Sequence, residues 1–476
     1  MALFRLSQRL TGHSIDNIIV VLQKIPLNIY KETVEVATKV VKFGGSSLAD
    51  ANQFIKVANI IKADPSRKYV VPSAPGKRSS KDTKVTDMLY ACYDTAVRGG
   101  DFIPMFNEIK KRYTDIIDGL GLDISLDSEF ETIKHSFMAR AGRDYAASRG
   151  EYLNGKILSS YLGFAFVDAA EVIYFGENSK LDLEQTCRAV KERLDKVGNA
   201  VIPGFYGSMP NDTVKTFSRG GSDITGSIVA AAMNADLYEN WTDVSGFLVC
   251  DPRIVPNPEP IQTITYHELR ELAYMGAGVL HEEAIFPVRK AGIPINIKNT
   301  NKPDDPGTMI VEQAGCDDCK FTITGIAGHR GFAAITIEKD MMNSELGFGR
   351  KVLEVFENHG ISFEHMPSGI DTMSIVVRLD ELAECEEDVI KSLRDAVSPD
   401  KIEIDRDIAL IAIVGRGMKS QRGTAARIFA ALAHAKINVK MIDQGSSELN
   451  VIVGIGNEYF EAAIKAIYAI FVSERL

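Results

Sequence analysis

Four short stretches of the chain combine residue types that can handle an anionic ligand. In VVKFGGSSLADANQF an apolar run delivers Lys42 and Phe43, then Gly44, Gly45, Ser46 and Ser47 just ahead of a helical pattern. Glycines let backbone N–H groups approach a phosphate, the helix N-terminus adds a partial positive charge, and the lysine adds a full one. A Gly-Gly turn after a strand also serves as a plain connection, and it is the lysine that brings a phosphate into question. In TFSRGGSDITGS the residues Ser218, Arg219, Gly220, Gly221, Ser222 and Asp223 precede an alanine-rich helix. Arg219 suits a bidentate grip on a carboxylate, and hydroxyls and N–H groups at the helix start suit an anion. The alternative is a polar N-cap, with Asp223 complementing the helix dipole.

Two further stretches are weaker taken alone. In DYAASRGEYLNGKILSSYLG, Ser148, Arg149, Gly150 and Glu151 open a helix whose apolar face is Leu153, Ile157, Leu158, Tyr161 and Leu162. Glu151 there either complements the dipole or catches a substrate ammonium. In NWTDVSGFLVCDPR, Thr242 and Asp243 end a strand and Asp251-Pro252-Arg253 makes a turn. The rival phosphate motif, GEYLNGKI from Gly150, has the spacing of a Walker loop but carries Ile157 where a hydroxyl must meet magnesium. It reads as helix.

These stretches need a scaffold that brings strand ends together. From Lys39 to about Asn299, short β-branched runs alternate with longer helical patterns, the mark of an α/β domain with a mostly parallel sheet. The strand candidates are KVVKF at Lys39, YVVPS at Tyr69, FAFVDA at Phe164, AVIPGFYG at Ala200 and IPINIKN at Ile293, each bounded by Gly, Pro, Asn or Asp. NKPDDPGT, from Asn301, reads as the surface connection that closes this domain. Beyond it lies an internal repeat: Met342-x4-Gly347 recurs as Met418-x4-Gly423, 76 residues further on, and Val352/Ile428, Phe356/Leu432, Ile361/Ile437, Gly369/Gly445 and Ile375/Val451 keep that offset. Each copy reads strand, Gly-containing loop, helix and two strands, a small α+β unit used twice.

Composition sets the limits. With 476 residues the chain exceeds one core and predicts about three domains. Lys plus Arg number 54 and Asp plus Glu 64, a formal charge of −10, with no basic block interleaved with aromatics, which argues against nucleic acid. An acidic protein that takes anions must concentrate positive charge locally. The six cysteines are dispersed, which favours reduced thiols, and only Cys316 and Cys319 are close-spaced, without the second pair a structural zinc needs. No run reaches the roughly eighteen apolar residues of a membrane span. The opening MALFRLSQRLTGHS carries arginines and hydroxyls without a secretory apolar core, and residues 1–38 are read as an extension of uncertain role.

Taken in order, KFGGSS, SAPGK with KVTD, SRGE, FSRGGSD and WTDVSGF with DPR, followed by two repeated α+β units, resemble the aspartate kinase family from about Thr38 onward. That resemblance implies a three-layer α/β/α amino acid kinase domain over residues 39–306 and two ferredoxin-like ACT domains. The first spans 330–398. The second combines 320–329 with 404–476 and takes in the FTITGIAG strand at Phe321. The implied reaction transfers the γ-phosphate of ATP, with Mg²⁺, to the side-chain carboxylate of L-aspartate at the head of lysine, threonine and methionine biosynthesis. Carried over by motif, Lys42, Phe43, Gly44, Gly45, Ser73, Ser222, Thr242, Asp243 and Leu248 fall at the ATP, and Ser46, Thr86, Glu151, Arg219, Gly220, Gly221 and Ser222 at the substrate. Lys42, Asp223 and Arg219 are implied as the catalytic set, with no metal held by protein side chains alone.

In the repeats, Met342, Gly347, Phe348, Gly349, Ser368, Ile370, Asp371 and Thr372 match effector-binding segments, with lysine the first expected effector and threonine the second. For Met342 and Phe348 a plain core role is the alternative. ACT pairing implies a homo-oligomer, a dimer or tetramer, and the resemblance implies a cytoplasmic enzyme. Two positions depart from the family pattern. Leu248 stands where an aromatic is frequent, and Gly278 where a lysine is frequent, so the nucleotide contacts there are in doubt; Lys290 or Lys298 is a candidate substitute, and the alternative for each is a solvated surface lysine. A catalytically silent amino-acid sensor, or another amino acid kinase, is the rival reading. With the sequence running to Leu476, an appended dehydrogenase is not expected.

Overall fold

The computed structural model describes residues 37–218, 220–277, 280, 282–315 and 320–473. The first part is built on an eight-stranded sheet. Its strands are β1 (Lys39–Phe43), β2 (Arg67–Pro72), β3 (Ala165–Phe166), β4 (Ala200–Val201), β7 (Leu237–Thr242), β8 (Thr263–Thr265), β9 (Ile295–Asn299) and β10 (Thr308–Val311), and the hairpin β5 (Tyr206–Ser208) and β6 (Val214–Thr216) stands apart from it. The order is β3-β4-β2-β1-β7-β9-β10-β8, with every pairing parallel except β9 with β10. The parallel sheet expected from the alternating pattern is therefore present.

A parallel strand is covered on both faces, which is why KVVKF reads as a continuous apolar run. Val41, Phe43 and Val70 face one core, filled by α1 (Ala51–Lys62), α2 (Val85–Val97), α3 (Ile103–Leu120), α4 (Asp127–Met138) and α5 (Arg143–Leu162) through Phe54, Leu89, Ile109, Phe130 and Leu153. Val40, Tyr69 and Val71 face the other, filled by α6 (Leu183–Val197), α7 (Gly221–Ala232) and α9 (Glu282–Lys290), with α8 (Tyr266–Tyr274) packed further along. The result is three layers, with consecutive residues of β1 buried on opposite sides.

The second part is a six-stranded antiparallel sheet in the order β12-β13-β11-β14-β16-β15. Its strands are β11 (Gly325–Glu338), β12 (Phe363–His365), β13 (Thr372–Arg378), β14 (Lys401–Val414), β15 (Val439–Asp443) and β16 (Asn450–Ile455). Five helices cover it: α10 (Phe348–Asn358), α11 (Leu379–Ala383), α12 (Glu386–Val397), α13 (Thr424–His434) and α14 (Phe460–Tyr468). The extended run from Phe321 becomes a strand only at Gly325; Thr324 just before it donates its N–H to the Val414 carbonyl at 2.7 Å and its hydroxyl to Glu268 of α8. Two long strands serve both repeats: Gly325–Arg330 pairs with Val414–Ala409, and Phe332–Glu338 pairs with the earlier half of β14 and with β13. The first repeat has its own core around Ile335, Val352, Phe356 and Ile375, whereas the second repeat's Leu410, Ile428 and Val453 join the core of the parallel sheet.

Candidate active site

The carboxyl ends of the parallel strands are joined by loop hydrogen bonds. Gly44 N–H donates to the Trp241 carbonyl at 3.0 Å, Ser73 N–H to the Phe43 carbonyl at 3.0 Å, Gly204 N–H to the Pro72 carbonyl at 3.1 Å and Thr300 N–H to the Thr242 carbonyl at 2.9 Å. The chain leaves β1 for β2 on one side and returns as β7 on the other. Lys42 and its register partner Asn240 thus stand at the switch point where open α/β sheets take their ligands.

Lys42 is only 6 % exposed, and its Nζ lies 2.6 Å from Asp223 Oδ1. Asp223 occupies the first turn of α7, behind Gly220, which caps that helix in the left-handed region at φ 60°. The same carboxylate oxygen accepts from Asn240 Nδ2 at 2.7 Å. A lysine, the N-terminal turn of a helix and the glycine loop after β1 therefore converge on one rim, an anion-binding arrangement.

Two close approaches shape that rim. A Cβ on Gly76 would sit 2.5 Å from the Gly45 carbonyl carbon, so the loop after β2 rests on the glycine loop after β1, with Gly76 N–H donating to the Gly45 carbonyl at 2.8 Å. A Cβ on Gly204 would meet Ser222 Cβ and Oγ at 2.6 Å, which brings the loop after β4 against the start of α7. The buried Arg112 guanidinium pins the loop after β2 from behind, donating to the Gly76 carbonyl at 2.6 Å and the Thr83 carbonyl at 3.1 Å.

The SRGE segment does not open its helix. Helix α5 begins at Arg143, so Glu151 lies in its third turn, buried, where the helix N-terminus no longer reaches it. Among the described residues its Oε2 has no partner. Burial pushes the carboxyl up to about 8, against the opposing pull of the Ala74 N–H and of Arg149. A buried acceptor of this kind is completed by a cation or by a donor. One turn on, Asn154 Nδ2 donates to the Ser73 carbonyl at 2.6 Å, and its own Oδ1 is also buried without a partner among the described residues. Thr86 is close by, with Oγ1 3.8 Å from where a Gly150 Cβ would stand. The Arg149 side chain is taken up by aromatic faces, 4.7 Å from Tyr145, 4.4 Å from Tyr152 and 5.3 Å from Tyr206.

The strand ends thus bring together Lys42, Gly44, Gly45, Ser73, Ser222, Asp223 and Thr242, with Thr86 and Glu151 behind the loop that carries Ser73. Phe43 contributes its carbonyl, since its ring stacks on Trp241 at 6.0 Å. Ser46 is exposed beside the glycines, Asp243 is exposed just past β7, and Gly221 packs under Phe205. Arg219, Gly278, Cys316 and Cys319 lie outside the described residues. Leu248 is drawn elsewhere. It bridges to Pro260, and the carbonyl of its neighbour Val249 accepts from Ile326 N–H at the antiparallel sheet, because the loop after β7 runs on to meet β11. Lys298 is not a solvated surface lysine, since its ammonium stands 5.2 Å over the Trp241 ring.

The effector-segment residues lie apart, at one end of the first repeat. Met342 and Phe348 point into its core, whereas Gly347 caps α10 at φ 80° and Ile370 is exposed. Asp371 Oδ1 accepts from Met341 N–H at 3.1 Å, Ser368 bridges to Met373, Gly349 is in the first turn of α10, and Thr372 opens β13.

Reading the sequence missed Asn240, Asn154, Gly76 and Gly204. Asn240 had a usable signal, an amide in the middle of the otherwise buried strand LYENWT, where a polar side chain needs a partner. Gly76 lay within the SAPGK motif without a role of its own, and neither glycine's necessity was legible, because it comes from segments distant in sequence.

A parallel α/β sheet with a lysine, a glycine loop and a helix N-terminus at its carboxyl edge defines an amino acid kinase, and the model of the amino acid kinase family matches residues 37–299, while an ACT domain model matches 411–471. Aspartokinase 3 of Bacillus subtilis is 39% identical over 448 residues, covering 91% of this chain and 98% of that protein. The crystal structure of Clostridium acetobutylicum aspartate kinase superposes with a TM-score of 0.84 at 53% identity, covering 91% of this chain and all of that one. The chain therefore belongs to the aspartokinases of the amino acid kinase family and is a kinase with an ACT regulatory region. The E. coli aspartokinase III structure, in complex with aspartate and ADP, shares the fold with a TM-score of 0.68 at 23% identity, covering 92% of this chain and all of that one.

Proposed function

We propose that this enzyme transfers the γ-phosphate of ATP to the side-chain carboxylate of L-aspartate, giving 4-phospho-L-aspartate for lysine, threonine and methionine biosynthesis. The observation that carries the reading is the Lys42–Asp223 pair at the sheet's switch point, in front of a buried Glu151 whose Oε2, unpartnered among the described residues, suits the substrate ammonium. Residues 39–306 form the catalytic part, with 330–398 and with 320–329 plus 404–476 as two ACT units.

The nucleophile is a carboxylate with a reference pKa near 3.9, ionised at neutral pH, so no general base is needed. The obstacle is bringing that anion against a triphosphate. Lys42 and the Gly45 N–H hold the transferred phosphate and stabilise charge as it spreads over its oxygens, while Gly44, its own N–H held by the Trp241 carbonyl, keeps the loop open beside them. Ser222 and Arg219 receive the substrate carboxylate, and Thr86 and Glu151 its ammonium end, so that the reacting groups are held in line. Thr242 and Asp243 flank the nucleotide. Mg²⁺ carried by the triphosphate would offset phosphate charge, and Asp223, in the first turn of α7, is the carboxylate at this rim that would hold it.

Feedback by an amino acid, lysine first and threonine second, acts as differential affinity for two arrangements of the ACT units. The loops at Gly347 and Asp371 offer backbone groups and a carboxylate to such an effector. Leu346 is 98 % exposed beside exposed Met341 and Ile370, which supports self-association of a cytoplasmic dimer or tetramer through this end.

Trapping acyl phosphate with hydroxylamine tests the scheme. L-aspartate, L-glutamate and N-acetylglutamate are compared with ATP, with and without lysine or threonine, in the wild type and in Lys42→Ala. Turnover selective for aspartate and reduced to a small residual rate in Lys42→Ala supports the assignment. Absence of acyl phosphate from any acid, with lysine still bound, leaves an amino-acid sensor instead.

A further inference from the structure

Asn240 is an amide placed among large apolar side chains. It is fully buried in β7 between Glu239 and Trp241, and its register partner across the parallel pairing is Lys42. Register partners on neighbouring parallel strands project to the same face, so the amide and the ammonium meet beneath α7. Asn240 Nδ2 donates to Asp223 Oδ1 at 2.7 Å, and its Oδ1 lies 3.5 Å from Lys42 Nζ. Lys42 Nζ itself reaches Asp223 Oδ1 at 2.6 Å and would be 3.7 Å from a Cβ on Gly44.

We propose that Asn240 is a positioning residue for phosphoryl transfer, acting through Lys42. The inference rests on the reading of Lys42 as a phosphate ligand. An ammonium has three donors on a stem with four rotatable bonds, and a single carboxylate leaves it free to pivot. Here Asp223 takes one donor and the Asn240 carbonyl oxygen faces a second, which leaves the third for a phosphoryl oxygen on the Gly44 side. The amide N–H also occupies the carboxylate oxygen that Lys42 uses. It thereby fixes the carboxylate plane and prevents Asp223 from turning both oxygens onto the ammonium and neutralising it. The 3.5 Å contact is long for a hydrogen bond, so its role is to direct the charge rather than to bind it tightly.

The test is a double-mutant cycle on the full-length enzyme with Asn240→Leu, Lys42→Ala and both together, followed by hydroxamate formation at high enzyme concentration. Leucine keeps the branched outline without either polar atom but is bulkier, and thermal unfolding checks the fold. Should it unfold the protein, Asn240→Ala replaces it in the cycle. The expected result is a fall in kcat of about ten- to a hundredfold, the scale of a misplaced reacting group, with KM for aspartate and for ATP within about threefold of wild type. In the Lys42→Ala background the same substitution should change residual turnover by less than about threefold. An equal fall in both backgrounds, or raised KM values with kcat intact, would overturn the proposal. If Lys42→Ala alone turns over like wild type, the phosphate reading falls and takes this role with it. If Lys42→Ala is inactive but Asn240→Leu keeps wild-type kcat, only the role of Asn240 is lost.

Discussion

Glu268 and Arg416 meet at 2.8 Å across the join between the parallel and antiparallel sheets, with the Glu268 side chain wholly buried. Glu268 closes a capping box at the start of α8, where Thr265 N–H donates to Oε2 at 2.9 Å and Glu268 N–H donates to Thr265 Oγ1 at 3.2 Å. Its Oε1 accepts from the Thr324 hydroxyl at 2.6 Å and from Arg416 N–H at 2.8 Å, so one carboxylate ties the helix to β11 and to the turn after β14.

Breaking this pair from the cationic side leaves a buried charge that keeps only its neutral hydrogen bonds. Arg416→Met should destabilise the fold by about 3 kcal/mol, read by urea unfolding. Burial alone would raise the Glu268 pKa, yet the hydrogen bonds from Thr324, Thr265 and Arg416, with the Arg416 charge, outweigh it and hold the group below its usual value. A depressed carboxylate stabilises the fold above its unfolded pKa, and that contribution is lost as pH falls through the folded one. Unfolding in acid should therefore be steeper for wild type than for Glu268→Gln. Parallel acid limbs would show that the pair is neutral in stability.

Glu151 works in the opposite direction. Its folded carboxyl is raised from 4.5 to about 8 by burial, so the protonated form is the one favoured by folding. Stability of the ligand-free enzyme should fall as pH rises from about 4.5 to about 8. Glu151→Gln should remove that slope, worth roughly 3 kcal/mol between pH 4.5 and pH 7. The same substitution should raise KM for aspartate at least tenfold, since it removes the charge that meets the ammonium. An unchanged KM would place the ammonium elsewhere.

The contact between Gly76 and Gly45 predicts a local and severe effect. Gly76→Ala inserts a methyl 2.7 Å from the Gly45 carbonyl oxygen and from Ser46 N, both backbone atoms that cannot move aside without shifting the phosphate loop. KM for ATP should rise, or kcat fall, by at least about tenfold, the order of loss expected when reacting groups are displaced by an ångström or less. Wild-type ATP kinetics in this variant would mean that the loop after β1 does not cradle the nucleotide.

Trp241 is the chain's single tryptophan. Its carbonyl holds the Gly44 N–H, its ring stacks on Phe43, and its Nε1 donates to Glu239 Oε2 at 2.8 Å. ATP titration should give a saturable change in tryptophan emission that is absent in Lys42→Ala and is not produced by aspartate alone. Emission indifferent to ATP in an active enzyme would separate this strand end from the nucleotide.

The sequence by itself determined the strand-to-loop transitions at Lys42, Asp223 and Thr242, the parallel α/β class, and the pair of repeats, because each of these is written in residue types a few positions apart. Alternating burial, glycine spacing and a fixed offset are properties of short segments and survive without knowledge of the fold. Only the tertiary structure decided that Lys42 meets Asn240, 198 positions away, that Gly76 and Gly204 must lack side chains, and that Leu248 turns toward the antiparallel sheet. It also moved Glu151 from the start of a helix to its buried interior, where desolvation instead of the helix dipole governs the carboxyl. Parallel strands are paired through crossovers of many residues, so which side chains share a strand end depends on sheet order and register, and neither is encoded in any local pattern.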